Sequence, residues 1–278
     1  MLLYTINIEF SEEGEAMENI KLYKGDCLEV MKDILDKSID MILCDLPYGT
    51  TQNKWDSVIP LDKIWEQYNR IIKDNGAIVL FAQTPFDKVL GCSNLKNLRY
   101  EWIWEKTTAT GHLNAKKMPM KAHENILVFY KKSPTYNPQK TTGHTPVHSY
   151  TKHQDDGSNY GKTVIGIKGG GSTERYPRSV QIFKTDKQKE ALHPTQKPVL
   201  LLEYLIKTYT NENEIVLDNC MGSGSTGVAC LNANRKFIGI EKEEKYFEIA
   251  KERINNHIEN IKDYNLFFFN ANKKCPLN

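Results

Sequence analysis

The stretch LDNCMGSGSTGVAC, residues 217–230, decides the fold. Gly222, Gly224 and Gly227 have the spacing G-x-G-x-x-G, between a strand pattern, EIVLD (214–218), and a helical one, STGVACLNA (225–233). Glycines there let the backbone approach a ligand, and a helix N-terminus offers free N–H groups. The next strand pattern, RKFIGIE (235–241), ends on Glu241. That is about twenty residues beyond the first glycine, where a carboxylate can accept hydrogen bonds from ribose hydroxyls. The expectation is a site for an adenosine-containing ligand; a glycine turn serving close packing alone is the alternative.

Only 37 residues follow Glu241, and the helical pattern at 242–258 takes nearly half of them. A further strand–helix–strand unit needs about thirty residues. The rest of the sheet must therefore come from the N-terminal half, which makes the order circularly permuted relative to a dinucleotide dehydrogenase and argues against a nicotinamide enzyme.

That half carries the required alternation. IKLYKGD (20–26) reads as a strand, CLEVMKDIL (27–35) as a helix and IDMILCD (39–45) as a buried strand. LDKIWEQYNRIIKDNG (61–76) reads as a helix with Ile64, Trp65, Tyr68, Ile71 and Ile72 on one face and Gly76 as its stop. AIVLFA (77–82), YEWIW (100–104) and NILVFY (125–130) read as strands, with a short helix over 84–93. Residues 133–192 lose the pattern, and it resumes with PVLLLEYLIKTYT (198–210), a helix with proline at its first turn. The expected fold is α/β: a permuted Rossmann-like, mostly parallel sheet with helices on both faces and an inserted irregular lobe. The expected divisions are 20–132 and 193–260 as two halves of one sheet, 133–192 as the insertion, and 1–19 and 261–278 as terminal extensions.

Composition agrees with one large globular domain of 278 residues, 40% hydrophobic and 26% charged. No apolar run reaches the roughly 18–20 residues of a membrane span. The N-terminus turns acidic at once, unlike a signal peptide. The six cysteines show no CxxC pair and no metal-ligand spacing, so a reducing cytoplasm is the expected compartment and no metal is expected. Charge is uneven: residues 106–153 hold eight lysines against a single acid, Glu124. Such a window is either a solvated basic face or a surface that neutralises phosphates.

A second segment, CDLPYGT (44–50), follows a buried strand. It places Asp45, Leu46, Pro47 and Tyr48 at the strand's carboxyl end, where open α/β sheets bind ligands. A plain turn punctuated by Pro and Gly is the alternative. A carboxylate, a stiffened backbone and an aromatic face together suit a planar, amino-bearing heterocycle.

These residues resemble the (D/N/S)-P-P-(Y/F) motif of the S-adenosylmethionine-dependent DNA amino-methyltransferases. LDNCMGSGSTGVA resembles that family's cofactor motif, and HPTQKP (193–198) the segment that precedes it in the permuted, β-type order. GDCLE (25–29), HENILVFY (123–130) and RYPRSVQIF (175–183) are similar in kind and place, so the resemblance covers about residues 20–258. Two positions depart from it. Leu46 replaces the first proline, whose role is carried by a backbone carbonyl that leucine also has. Cys220 replaces an aromatic that would pack on the cofactor.

The resemblance implies methyl transfer from S-adenosylmethionine to an exocyclic amine of a base flipped out of duplex DNA. Asp45 and the Leu46 carbonyl would accept the two amine N–H groups, Tyr48 would stack on the base and Pro47 would shape the loop. An acidic first residue favours adenine N6, with cytosine N4 the runner-up; cytosine C5 chemistry, which uses a Pro-Cys pair, is set aside. For the cofactor, Cys220, Gly222 and Gly224 would cradle the methionine part. Asp218 would orient the turn or the ammonium, Glu241 bind the ribose, and Asp26 meet the adenine amine. Thr195 and Lys197 would face the carboxylate end. The insertion would read DNA, with Arg175, Tyr176 and Arg178 as base or phosphate contacts, and ahead of it Lys106, Lys116, Lys117 and Lys121 would meet phosphates. A non-catalytic DNA-binding module and a methyltransferase acting on RNA or protein are the competing classes. The partner implied is double-stranded DNA. A homodimer and a cognate restriction endonuclease are compatible with the family, and neither is deducible from the sequence.

Overall fold

The computed structural model describes residues 2–8, 17–49, 57–152, 165–186 and 196–273. Its strands are β1 (Leu2–Ile8), β2 (Met17–Lys24), β3 (Ile39–Cys44), β4 (Ile72–Ala82), β5 (Leu98–Thr110) and β6 (Lys121–Phe129). They continue with β7 (Tyr150–Thr151), β8 (Lys168–Gly169), β9 (Val180–Phe183), β10 (Ile215–Asp218) and β11 (Lys236–Glu241). Its α-helices are α1 (Cys27–Val30), α2 (Leu61–Ile71), α3 (Phe86–Ser93), α4 (Val199–Tyr209), α5 (Ser225–Asn232) and α6 (Glu244–Lys273).

Nine strands form one sheet in the order β1-β2-β11-β10-β3-β4-β6-β5-β9. The two C-terminal strands thus lie between two N-terminal ones, as the permuted order requires. Pairing is parallel from β2 to β4, and Val216 and Leu217 of β10 sit opposite Met41 and Ile42 of β3. The sheet is mostly parallel, as expected, with three antiparallel pairings. Strand β6 runs antiparallel to both β4 and β5, and β1 runs antiparallel to β2.

Both faces of the sheet are covered, and period-two alternation divides the core. Met41 and Leu43 join Ala77, Val79 and Phe81 on the face packed by α4, α5 and α6. Ile42 and Cys44 join Ile78, Leu80 and Ala82 on the face packed by α1, α2 and α3. All six residues of β3 are buried, which is why the strand reads as apolar on both faces apart from Asp40. Helix α2 buries Ile64, Trp65, Tyr68 and Ile71, each worth roughly 1.5–3 kcal/mol on leaving water.

Helix α2 ends at Ile71, five residues before the expected stop, because Ile72 already pairs with Ile39 as a strand residue. The residues between Ile72 and Ala77 form an irregularity in the β3–β4 pairing. Gly76 serves contact there and not a helix end: a Cβ on it would stand 2.7 Å from the Asp40 carbonyl oxygen. The termini also join the fold more fully than expected, with β1 as an edge strand and α6 reaching Lys273.

Two compact units emerge: Met1–Asn137 with Ser179–Asn278, and Pro138–Arg178. The second is narrower than the expected insertion, because β9 returns to the main sheet beside β5. Within it, β7 pairs with β8, and Thr141 bridges Arg175.

Replacing Gly76 with alanine is expected to destabilise the protein by about 1–3 kcal/mol, because backbone carbonyl atoms cannot give way as a side chain can. Urea unfolding at fixed m-value measures it.

Candidate active site

Parallel pairing brings the carboxyl ends of β2, β11, β10, β3 and β4 to one edge, and antiparallel β6 begins there. Asp26, Glu241, Asp218, Asp45 and Glu124 therefore converge on one cleft of about 740 Å³.

The glycine turn follows β10. Gly222 has φ 51° and donates its N–H to Glu241 Oε2 at 2.9 Å. Gly224 has φ 77°, and a Cβ there would lie 3.1 Å from Ala250 Cα of α6. Gly227 is a packing glycine too, facing Ile254 and Phe237. The two readings of the motif thus divide among its glycines: Gly222 lines the cleft, while Gly224 and Gly227 bring α5 onto its neighbours. Asp218 holds the turn from beneath, accepting from the Cys220 N–H at 3.1 Å and the Thr226 hydroxyl at 2.6 Å. Burial pushes its carboxyl up to about 6.

Glu241 at the end of β11 accepts one backbone N–H on each oxygen, from Gly222 and Glu243. Burial raises it to about 6 as well. Asp26 caps α1 through Leu28 N at 3.0 Å, and Lys242 lies 3.2 Å from its other oxygen. Cys220 stands in hydrogen-bond contact with Cys27 and Cys44, so thiols line the cleft where the resemblance places an aromatic.

At the end of β3, Leu46 turns into the core and is 3% exposed. Its side chain anchors the loop by packing, where a proline would stiffen it. Tyr48 donates to Asp45 Oδ1 at 2.5 Å and stacks on Phe86 at 5.1 Å between centroids. Pro47 lines the same cleft.

Lys197 departs from its expected place. Its ammonium lies 2.5 Å from Asp45 Oδ2 and 3.3 Å from Glu124 Oε2, so it meets the DLPY carboxylate and not the glycine turn. Lys106 departs as well. Its side chain is 8% exposed, 2.5 Å from Glu124 Oε1 and over the Trp104 ring, so its charge is spent inside the cleft and not on a surface phosphate. Burial raises the Asp45 carboxyl against the pull of Lys197. Burial also opposes charge on Glu124, but Lys197 and Lys106 outweigh it and hold that carboxyl low.

Of the other basic candidates, Lys116 and Lys117 are exposed on the β5–β6 connection and Lys121 is exposed at the start of β6, where it reaches Gln83 at 3.4 Å. Arg175 instead braces its own unit, donating to the carbonyls of Ser172, Glu174 and Thr145. Arg178 is exposed on the second unit. Thr195 and His193 lie outside the described residues. Glu124 is the site residue that sequence reasoning passed over. A lone acid heading an apolar strand pattern within a lysine-rich window was the available signal.

The family model for DNA methylase matches residues 39–252 of this chain. A type II methyltransferase of Lactococcus lactis subsp. cremoris, M2.LlaDCHI, is 28% identical over 264 residues, covering 86% of this chain and 90% of that protein. The DNA adenine methyltransferase YhdJ of Escherichia coli is 29% identical over 250 residues, covering 83% and 81%. Among solved structures, the M1.HpyAVI–SAM complex superposes with a TM-score of 0.59 at 28% identity, covering 85% of this chain and 99% of that one. The cytosine-N4-specific PvuII DNA methyltransferase has a TM-score of 0.63 at 15% identity, covering 87% and 92%, a likeness of fold.

Replacing Thr226 with valine should leave Asp218 Oδ2 without its donor, at a cost of about 1–3 kcal/mol. The folded-state pKa of Asp218, about 6, lies above its ordinary 3.8. The ionised group therefore opposes folding above that range and is relieved as pH falls through it. The loss should accordingly be larger at pH 7.5 than at pH 5, as urea unfolding at the two values will show.

Proposed function

The chain belongs to the S-adenosylmethionine-dependent DNA amino-methyltransferases, and we propose that within this family it methylates N6 of adenine in duplex DNA. One observation carries the reading: the Asp45 carboxylate and the Tyr48 ring share a cleft with the glycine turn and Glu241.

The cleft suits the family's cofactor by the chemistry of its groups. Gly222 offers a close backbone approach. Glu241 keeps free lone pairs on two oxygens that are each already fixed by one N–H. Asp26, at the neighbouring strand end, is a second acceptor. Glu241 would hold the ribose hydroxyls, Asp26 the adenine amine, and Cys220 with the turn the methionine part. When bound, S-adenosylmethionine supplies an electrophilic methyl group.

The chain's own residues then prepare the nucleophile. An exocyclic adenine amine is weakly nucleophilic because its lone pair is delocalised into the ring. Asp45 and the Leu46 carbonyl would accept its two N–H groups and draw the nitrogen toward tetrahedral geometry, which localises the pair. Tyr48 would stack on the flipped base, leaving its present partner Phe86 or extending that stack. Alignment of reacting atoms at about 3–3.5 Å supplies much of the rate. After transfer the nitrogen is cationic and acidic, so its proton passes to a nearby carboxylate or to water.

The acidic residue at position 45 supports adenine over cytosine, as does similarity to a relative named as an adenine methyltransferase. Lys116, Lys117 and Lys121 would contact phosphates, and the unit Pro138–Arg178, with Arg178, would read the target sequence. Among the described residues no helix is long and apolar enough to cross a membrane, which accords with a cytoplasmic role, and similarity to type II methyltransferases suggests a restriction–modification setting. Chromatography of nucleosides from DNA methylated by the purified protein tests the reading. N6-methyldeoxyadenosine is expected, and N4-methyldeoxycytidine would overturn the choice of base. Methyl incorporation into RNA or protein but not duplex DNA would overturn the substrate.

Asp45→Ala is expected to lower methyl transfer by at least about 10²–10⁴-fold while cofactor affinity stays within a factor of about two; single-turnover kinetics and calorimetry separate the two. Cofactor binding should also weaken about tenfold from pH 7.5 to pH 5 as Glu241 gains its proton near 6. Glu241→Gln should flatten that dependence.

A further inference from the structure

Four charged side chains form a buried relay beside the cleft. Lys106 Nζ is 2.5 Å from Glu124 Oε1, Glu124 Oε2 is 3.3 Å from Lys197 Nζ, and Lys197 Nζ is 2.5 Å from Asp45 Oδ2. Exposures of the Lys106, Glu124 and Lys197 side chains are 8%, 6% and 9%; Asp45 at 25% is the member open to the cleft. Two lysines balance two acids, so the relay is neutral when all four are ionised.

The relay is asymmetric. Lys197 satisfies Asp45 at hydrogen-bond length, while its approach to Glu124 is an ion pair without hydrogen-bond geometry. Glu124 Oε2 is a fully buried acceptor that no hydrogen bond satisfies. A buried acceptor left open costs about 1–3 kcal/mol, so such a group is kept for a partner that arrives at another stage. Asp45 has the opposite problem. Tyr48 donates to Oδ1 and Lys197 to Oδ2, so an incoming amine must share an oxygen whose acceptor strength a donor already draws on.

We propose that Glu124 is the receiving site of an ammonium exchange: as the target amine reaches Asp45, Lys197 moves from Asp45 Oδ2 to Glu124 Oε2. Lys106, fixed on the other oxygen of Glu124 and over Trp104, keeps that carboxylate ionised and oriented for the exchange. The movement is small, since both acceptors already flank one ammonium group. Lys197 favours the ionised form of Asp45 against burial before substrate arrives, and its departure returns acceptor strength to Asp45 when the amine needs it. Lys197, Glu124 and Lys106 are thus positioning residues acting through Asp45. The inference rests on the reading of Asp45 as the amine acceptor.

The charged and titratable groups facing Asp45 are Lys197, Glu124, Tyr48, Cys44 and Asp218, with Lys106 one step behind. Activity requires ionised Asp45, so it falls as pH drops through the carboxyl's pKa. Lys197→Met removes the favourable charge and should move this acid limb upward by about 1 unit or more. Glu124→Gln removes an unfavourable charge and should move it downward, while lowering kcat at pH 8 about tenfold because Lys197 has nowhere to go. A merely structural role lowers turnover without displacing the limb in opposite directions. Lys197→Arg, which retains the charge, should keep the limb near its original place.

Thermal melting and cofactor binding of each variant verify the fold, and titration of the Asp45 carboxyl carbon by NMR reads the same displacements without turnover. Limbs that both stay put or move together, or a Glu124→Gln enzyme with unchanged kcat, would overturn the exchange. Asp45→Ala, which removes the acceptor, is run beside them: if it retains turnover, the acceptor reading itself fails. If it is inactive while the limbs fail to separate, the exchange alone fails.

Discussion

Parallel pairing of β10 with β3 is the constraint on which the rest of this molecule depends. It joins a strand from the end of the chain to one from its beginning, with Val216 and Leu217 opposite Met41 and Ile42. Asp40 secures the junction, accepting from Ile215 N at 2.9 Å and pairing with Lys73 at 2.6 Å. Because both strands point the same way, the glycine turn after one and DLPY after the other open at one edge. An antiparallel arrangement of the same strands would place these loops at opposite ends, more than a strand's length apart.

Close packing accounts for much of what a motif reading would assign to ligand binding. Gly224 and Gly227 have neighbours a Cβ would strike, and Gly76 meets a carbonyl. Gly222 is the member that faces the cleft, donating to Glu241 across adjacent strand ends. Asp218 is likewise committed to backbone and hydroxyl donors of its own turn. Its burial raises its pKa, a cost borne by the turn it shapes.

Much of the sheet was legible because β3, β4, β10 and β11 are buried on both faces and carry continuous apolar runs. The boundary of α2 was less so. Its helical apolar face passes through Ile71 and Ile72 without interruption, and the pairing of Ile72 with Ile39 that ends it is a long-range contact. The candidate site was legible where a residue's position along one strand decides its place: Asp45, Asp218 and Glu241 each end a parallel strand. It was illegible where charge is matched across strands. Lys106 and Lys197 read as cations in search of anionic ligands, yet both meet protein carboxylates, and Arg175 is taken up by carbonyls of its own unit.

The sequence by itself determined the α/β class, the permuted order and the family, because these follow from apolar periodicity, motif order and the count of residues after Glu241. The direction and neighbours of β6 belonged to the tertiary structure. Antiparallel β6 begins at the edge where the parallel strands end, and this carries Glu124 and its lysines into the cleft beside Asp45. Pairing between strands 33 to 51 residues apart in the chain sets which buried charges neutralise one another. Local pattern carries no record of that pairing, since a lysine's neighbours in the chain are not the carboxylates it meets in the fold.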